Sequence, residues 1–294
     1  MKITTTFDVI IVGGGLAGLT SAIHLSTRKK RVLLIEKNEY PKHKVCGEYI
    51  SNEVLPYLNS LGINPINEGA KQITKVHIST TKSNLIKGEL PLGGFGMSRY
   101  FLDNLLVKKA QLNGVQILKD TVDSIHFKKD SFTITTKSSG VFQSKITIGA
   151  FGKRSSLDQK MKRKFIQKKS PYLAVKIHVK GVFPENLVAL HNFKGGYCGV
   201  SKVEDNAINV CYITEYRSFK KHKNITDFQE QVVFKNKHLR KIFKETSPVF
   251  EKPLTISQVS FQTKNPVEDH IIMCGDTAGM IHPLCGNGMG MAIS

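Results

Sequence analysis

A glycine cluster near the start of the chain limits the fold more than any other feature. Phe7–Val12 is a short, β-branched, apolar run. Gly13, Gly14, Gly15 and Gly18 follow it, and residues 16–25 have helical periodicity. A second apolar run, Arg31–Glu36, comes next. This order predicts a buried strand, a tight turn, a helix and a parallel second strand, which together make a βαβ unit. Gly-x-Gly-x-x-Gly alone is a weak pattern. Set between a strand and a helix, with Glu36 lying 18 residues beyond Gly18, it points to a site for a dinucleotide pyrophosphate. Gly13 permits the turn, Gly15 lets the backbone approach the phosphates, and Gly18 lets helix and strand pack closely. The helix N-terminus offers free N–H groups and partial positive charge. Glu36 is placed to accept hydrogen bonds from a ribose.

With 294 residues the chain has room for one large domain or two modest ones. Its 40% hydrophobic and 22% charged fractions are those of an ordinary globular protein and exclude a disordered or fibrous one. No apolar run reaches the roughly 18 residues that span a bilayer. The start, with Lys2, threonines and then a short apolar run, is not a signal peptide. Five scattered cysteines (46, 198, 211, 274 and 285) read as reduced thiols of a cytoplasmic protein. No Cys/His cluster has metal-ligand spacing, so no metal is expected. The net charge is +20, yet only seven of the 43 basic residues are arginine. Nucleic-acid readers lean on arginine forks, so no nucleic-acid partner is expected. The lysines are densest between Lys153 and Lys169. They read as a solvated surface, with peripheral contact to an anionic inner membrane face as the sharper alternative.

The periodicity divides the chain. Residues 1–170 and 262–294 read as a discontinuous nucleotide-binding domain with inserted strands. Residues 171–261 read as an antiparallel sheet domain for substrate. Helices are predicted over Ser51–Leu61, Arg99–Leu112 and Asp227–Glu245, and a late strand over His270–Cys274. The fold class is α/β with α+β insertions. The chain stops at Ser294 inside a short uncapped helix, which reads as a truncation.

The glycine motif does not separate NAD from FAD. Together with Gly275-Asp276 and with Arg99 at a helix start, it resembles the FAD enzymes of the p-hydroxybenzoate-hydroxylase-like superfamily. Within that group, Lys44-Val45-Cys46-Gly47-Glu48 resembles the Cys-Gly-Gly/Glu segment of the geranylgeranyl reductase family. The resemblance implies that Gly13, Gly15, Leu16, Ala17, Gly18, Glu36 and Lys37 hold the ADP half of FAD. It implies that Arg99 lies beside the cofactor and that Gly275 and Asp276 meet the ribityl chain. Pro283, Gly286, Gly288 and Met289 would bring a helix N-terminus to the flavin pyrimidine edge, where negative charge gathers on reduction. Cys46 would lie near the reacting end of the flavin, as a proton donor or as a small apolar side chain. Tyr197 and His282 are further proton-donor candidates.

The sequence also departs from the family. Phe151 stands where related flavin enzymes carry an aspartate in Gly-Ala-Asp-Gly. NAD(P)H stays a candidate electron donor, although phenylalanine cannot accept the hydrogen bond of the usual docking route. Only Tyr197 remains of the reductases' Tyr-x-Trp-x-Phe-Pro segment. The chain has no tryptophan, which argues against flavin halogenases and their Trp-x-Trp motif. The resemblance thus implies an FAD-dependent reductase that passes hydride from flavin N5 to a carbon–carbon double bond of an apolar, isoprenoid-like small molecule. An external donor would supply the electrons. A flavin monooxygenase acting on an aromatic or apolar small molecule is the alternative.

Overall fold

The computed structural model describes residues 5–167, 170–259 and 261–294. Lys2, Thr4 and the lysine pair 168–169 of the dense stretch lie outside them. The first strand, β1 (Thr5–Val12), pairs in parallel with β2 (Val32–Glu36) on one side and with Val141–Gly149 on the other. Ile10, Ile11 and Leu34 are fully buried, as a central parallel strand flanked on both faces requires. Helix α1 (Leu16–Thr27) crosses between β1 and β2. Gln116–Lys119 extends the sheet beyond β2, and Ile271–Met273 joins its other side in parallel with Val141–Gly149. The Val122–Lys128 and Ser131–Thr136 hairpin continues antiparallel from Val141–Gly149. This is a Rossmann-type α/β unit with a β-meander inserted into it.

Among the described residues the second sheet has nine strands. Its centre is the antiparallel set Tyr172–Lys180, Ile208–Glu215, Gly196–Lys202 and Leu187–Phe193. Three further strands, Tyr49–Ser51, Lys71–Ser79 and Leu85–Gly96, come from the segment after β2. The sheet is therefore not confined to residues 171–261. Sequence periodicity marks strands locally but says nothing of which sheet they join, and residues 49–96 leave the parallel sheet entirely. Leu187–Phe193 accepts Lys71–Ser79 in parallel, and that pairing ties the two parts of the chain into one layer.

Two helix expectations need correction. Residues 225–245 form two helices, Ile225–Gln231 and Lys237–Glu245. Asn236 divides them. Its side-chain oxygen accepts from the His238 and Leu239 N–H groups, while its amide donates to Ser79 Oγ, Thr80 O and Asn192 O. Asparagine is a strong N-cap, and here the cap is also bolted to the sheet. The helix expected from Ser51 begins only at Leu55, because Tyr49–Ser51 is committed to pairing with Gly94–Gly96. Arg99–Leu112 forms as the pattern predicts, capped by Ser98 Oγ accepting from Phe101 N at 3.0 Å.

A buried cluster secures the return of the chain to the first sheet. Arg163 is 2% exposed. Its guanidinium pairs with Asp158 and Glu268 and donates to the carbonyls of Thr277 and Asn265. Lys264 donates to Asp276 O at 2.6 Å and sits 4.2 Å over the Phe165 ring. Burial pushes the Lys264 ammonium down to about 8. Removing one partner of a buried pair costs about 3–5 kcal/mol, because the other charge is left uncompensated. Arg163→Ala should lower unfolding stability in urea by that amount, since it strands the fully buried Asp158.

Candidate functional site

The two distant glycine segments meet. A Cβ built on Gly275 would lie 2.9 Å from Ala17 Cβ, and Gly275 has the left-handed φ of +57°. The turn Gly275–Thr277 thus abuts the first turn of α1. Thr277 Oγ1 accepts from Gly152 N at 2.7 Å and secures the turn to the segment that holds Phe151. Phe151 itself is half-buried and packs in the neighbouring core.

The three motif glycines differ in what surrounds them. Gly13 has φ +108°, and a Cβ there would lie 2.2 Å from Ala150 O. At Gly18 it would lie 2.0 Å from Gly13 O. At Gly15 it would meet nothing within 4 Å. Gly13 and Gly18 are therefore glycine for the protein's own packing, whereas Gly15 keeps a cradle clear at the start of α1. No side chain caps α1, so its first N–H groups face that cradle. Glu36 Oε2 accepts from Gly14 N at 2.7 Å, and its other oxygen accepts from Asn38. These bonds fix the carboxylate beside the glycine turn and leave lone pairs for a ribose. Leu16, Ala17 and Gly18 are buried. Lys37 is exposed.

A cluster of charges lies beside the cradle; it joins Arg99, Lys44 and Glu48, which the sequence motifs contain, to Asp103, Lys176 and His178, which the sequence did not single out. Arg99 donates Nε and Nη2 to the two carboxylate oxygens of Asp103, at 2.7 and 3.0 Å. Lys44 Nζ reaches Asp103 at 2.6 Å. Burial would lift the Asp103 carboxyl, but Arg99 and Lys44 outweigh it and hold it below its ordinary value. Asp103 and Asp276 together hold the Arg99 guanidinium above its own ordinary value despite burial. Glu48 is fully buried, with the left-handed φ of +56°. Its carboxylate accepts from Arg99 N at 2.7 Å, from Lys176 Nζ, and pairs with His178 Nε2 at 2.6 Å. Lys176 is itself fully buried and also donates to Lys44 O at 3.2 Å. Asn209 Nδ2 donates to Cys46 O and Gly47 O, at 3.2 and 2.7 Å. The Lys44–Glu48 segment is thus stitched to the face of the second sheet by three side chains of that sheet.

Cys46 sits on this segment, half-buried, with Sγ 3.2 Å from Met289 Sδ. Met289 is the second residue of the six-residue helix Gly288–Ile293 and is buried in the same core as α1. The preceding turn, Pro283–Cys285, leads into exposed Gly286 and Gly288. Tyr197 lies half-buried on the second sheet, near Cys211 and Cys285, and burial raises its hydroxyl above the ordinary range. His282 is exposed. Its Nδ1 accepts from Leu284 N at 3.3 Å, and its ring lies 5.1 Å from Phe261. It acts as a turn cap.

The sheet register extends the site. Lys176 faces Cys211, Cys211 faces Gly199, Gly199 faces Leu190, Leu190 faces Ile78, and Ile78 faces Ile86. Residues opposite each other share a face. One row therefore crosses five strand spacings, about 24 Å, from the buried cluster to Ile78 and Ile86, which are 41% and 67% exposed. Apart from Lys176 its side chains are uncharged and largely apolar. Burial pushes the Cys211 thiol up to about 12, so it stays neutral.

Residues 6–294 match the model of the FAD binding domain family. The chain belongs to that family. FAD is its cofactor, and it is an FAD-dependent oxidoreductase resembling geranylgeranyl reductases. It is 24% identical to the digeranylgeranylglycerophospholipid reductase of Methanococcus vannielii, over 98% of this chain and 74% of that one. It is 32% identical to the FAD-dependent monooxygenase cle3 of Aspergillus versicolor, over 54% of this chain and 35% of that one. The flavin-dependent brominase Bmp2 has the same fold, with a TM-score of 0.83 at 19% identity over 98% of this chain and 76% of that one. The clear cradle at Gly15, the uncapped N–H groups and the fixed Glu36 suit the ADP half of FAD. Arg99 and Asp276 interact electrostatically beside that cradle.

Two outcomes follow from this geometry. Gly15→Val should weaken FAD binding about tenfold or more while leaving apoprotein stability near wild type. Gly18→Val should cost about 1–3 kcal/mol of stability by overpacking. Flavin titration and urea unfolding of both variants separate these effects. The second outcome concerns pH. Burial would raise the Glu48 carboxyl, but His178 and Lys176 win and hold it below its ordinary 4.5. A lowered folded-state value means that its stabilisation is present above that ordinary value and is lost as pH falls through the lower folded value. Urea midpoints should therefore fall on acidification below about pH 4.5. Glu48→Gln should be about 3–5 kcal/mol less stable at neutral pH, with Lys176 left unpaired, and should lose part of that acid dependence.

Proposed function

We propose that this oxidoreductase reduces a carbon–carbon double bond of an apolar, isoprenoid-like substrate. The observation that carries the reading is the position of Cys46, on a segment tied down at Lys44, Cys46, Gly47 and Glu48 and set where a sheet row, uncharged beyond Lys176, reaches the buried cluster. FAD, when bound, supplies the hydride from its N5. The protein's part is to hold FAD through Gly15, Glu36, Arg99 and Asp276, and to keep water out. The row Ile86, Ile78, Leu190 and Cys211 offers an apolar chain a surface that leads to Cys46. The Cys46 thiol would supply the proton that completes the saturated product. Tyr197, half-buried on the same sheet face, is the next donor candidate. An external donor would reload the flavin, and Phe151 gives no acceptor for the usual NAD(P)H contact. The lysine-rich surface and an apolar substrate together favour contact with an anionic membrane face. None of the helices among the described residues is long and apolar enough to cross a membrane.

The reading is tested with Cys46→Ala. The variant should retain yellow bound flavin, yet reoxidation of the reduced flavin by a geranylgeranyl substrate should slow at least about 100-fold, the range of one lost proton donor. Unchanged reoxidation would remove Cys46 from the reaction. A monooxygenase is the second reading, favoured by the likeness to the Aspergillus protein over half the chain. Product mass decides between them: gain of two hydrogens supports reduction, and gain of one oxygen in air supports the alternative.

A further inference from the structure

The far face of the second sheet carries a feature that the reaction does not use. Along Tyr172–Lys180 the odd-numbered residues turn away from Lys176 and His178. Leu173, Val175 and Val179 pack into a separate core under the helices Ile225–Gln231 and Lys237–Glu245. At one end that core is incomplete. An open cavity of about 630 Å³ lies there, walled by Ile177, Val179, Phe219, Ile225 and Phe243. The volume falls within the roughly 300–1,000 Å³ of small-molecule sites. The rim is polar and basic. Gln229 and Lys252 line it, and lysines 220, 221 and 223 immediately precede the lining residue Asn224. Of the nearby acids, Asp227 is already engaged by Lys223 N and His222, Glu245 is paired with Lys241, and Glu230 and Glu251 are exposed beside Gln229 and Lys252.

An apolar tail gains by leaving water for such walls, and an anionic head gains at a lysine rim. We propose that this cavity is a second ligand site that takes a single-chain amphiphile with an anionic head, the tail against Ile177, Val179 and Phe243 and the head at Lys252. The site is on the opposite face of the sheet from Cys46 and does not depend on the reductase reading.

Its wall also connects the two faces. Residues 246–253 line the cavity through Thr246, Pro248, Lys252 and Pro253. The same strap carries Phe250 around the sheet edge, where its ring lies 5.2 Å from His178 and 4.6 Å from His43. Both imidazoles adjoin the Glu48–Lys176 pair, and burial, aided by Lys176 and His178, pushes His43 down to about 4. An occupant of the cavity therefore touches the same strap whose Phe250 covers the cluster holding the Cys46 segment.

The test titrates dodecanoate, dodecanol and dodecylammonium into the FAD-loaded protein by calorimetry, with amide hydrogen exchange of the free and dodecanoate-bound forms. Dodecanoate should bind saturably at one site and more tightly than dodecylammonium. It should slow exchange at residues 219–229 and 243–255. Lys252→Glu, a surface change that leaves the fold intact, should weaken dodecanoate about tenfold or more and leave dodecanol unchanged. Ile225→Trp, which fills the cavity, should abolish binding of both. Three results would overturn the proposal: no saturable dodecanoate binding, equal affinity for the anionic and cationic probes, or protection confined to residues 44–48 and 283–289, which would seat the probe at the Cys46 face. Loss of reductase activity in the Cys46 experiment would leave all of these measurements interpretable.

Discussion

Everything around Cys46 depends on one buried carboxylate. Glu48 comes from the segment that leaves the Rossmann-type sheet, while its partners Lys176 and His178 come from a strand more than 120 residues later in the chain. A buried ion pair of this kind is weak evidence for net stability, because desolvation offsets much of the attraction. What it contributes is geometry. Lys176, His178 and Asn209 together hold the loop from Lys44 to Glu48 against the sheet.

The second sheet keeps two chemistries apart by strand periodicity. Its even-numbered positions on Tyr172–Lys180 and odd-numbered positions on Ile208–Glu215 face the nucleotide unit and carry Lys176, His178, Asn209 and Cys211. The opposite positions form an apolar core with aromatic edges, from Phe193 through Tyr212 to Phe228. One layer thus anchors a polar cluster on one side and a hydrophobic one on the other. The strap over residues 246–253 touches both, through Phe250 on the one hand and the cavity wall on the other. The combination of FAD fold, pinned thiol and uncharged sheet row is common ground for reduction and oxygenation. What distinguishes those reactions is how the flavin's reducing power is spent.

The nucleotide half was legible in the sequence because its physics is local. A glycine turn between a buried strand and a helix has few uses, and Gly13, Gly15, Gly18 and Glu36 stand within two dozen residues of one another. The charged cluster was not legible. Glu48 was visible as part of a motif, but Lys176 and His178 looked like two polar interruptions in an apolar strand. Their alternation was the signal, since residues two apart on a strand share a face, and a buried lysine on a face needs an acid. Asp103 gave even less warning: it sits one helical turn from Arg99, a spacing that ordinarily marks an exposed surface pair. Lys37 and His282 show the converse, with motif-adjacent positions that the fold leaves at the surface.

The order of residues alone therefore determined the βαβ unit, the dinucleotide turn and the apolar character of each strand, because propensity, glycine freedom and hydrophobic period act over a few residues. Folding decided which strands share a sheet, that Tyr49–Ser51, Lys71–Ser79 and Leu85–Gly96 belong with the later ones, and that Gly275 comes to rest on Ala17. It also decided the pairing of Glu48 with Lys176. Such matches are settled by long-range burial and by the cost of leaving a charge unpaired in the interior, and neither leaves a periodic trace along the chain.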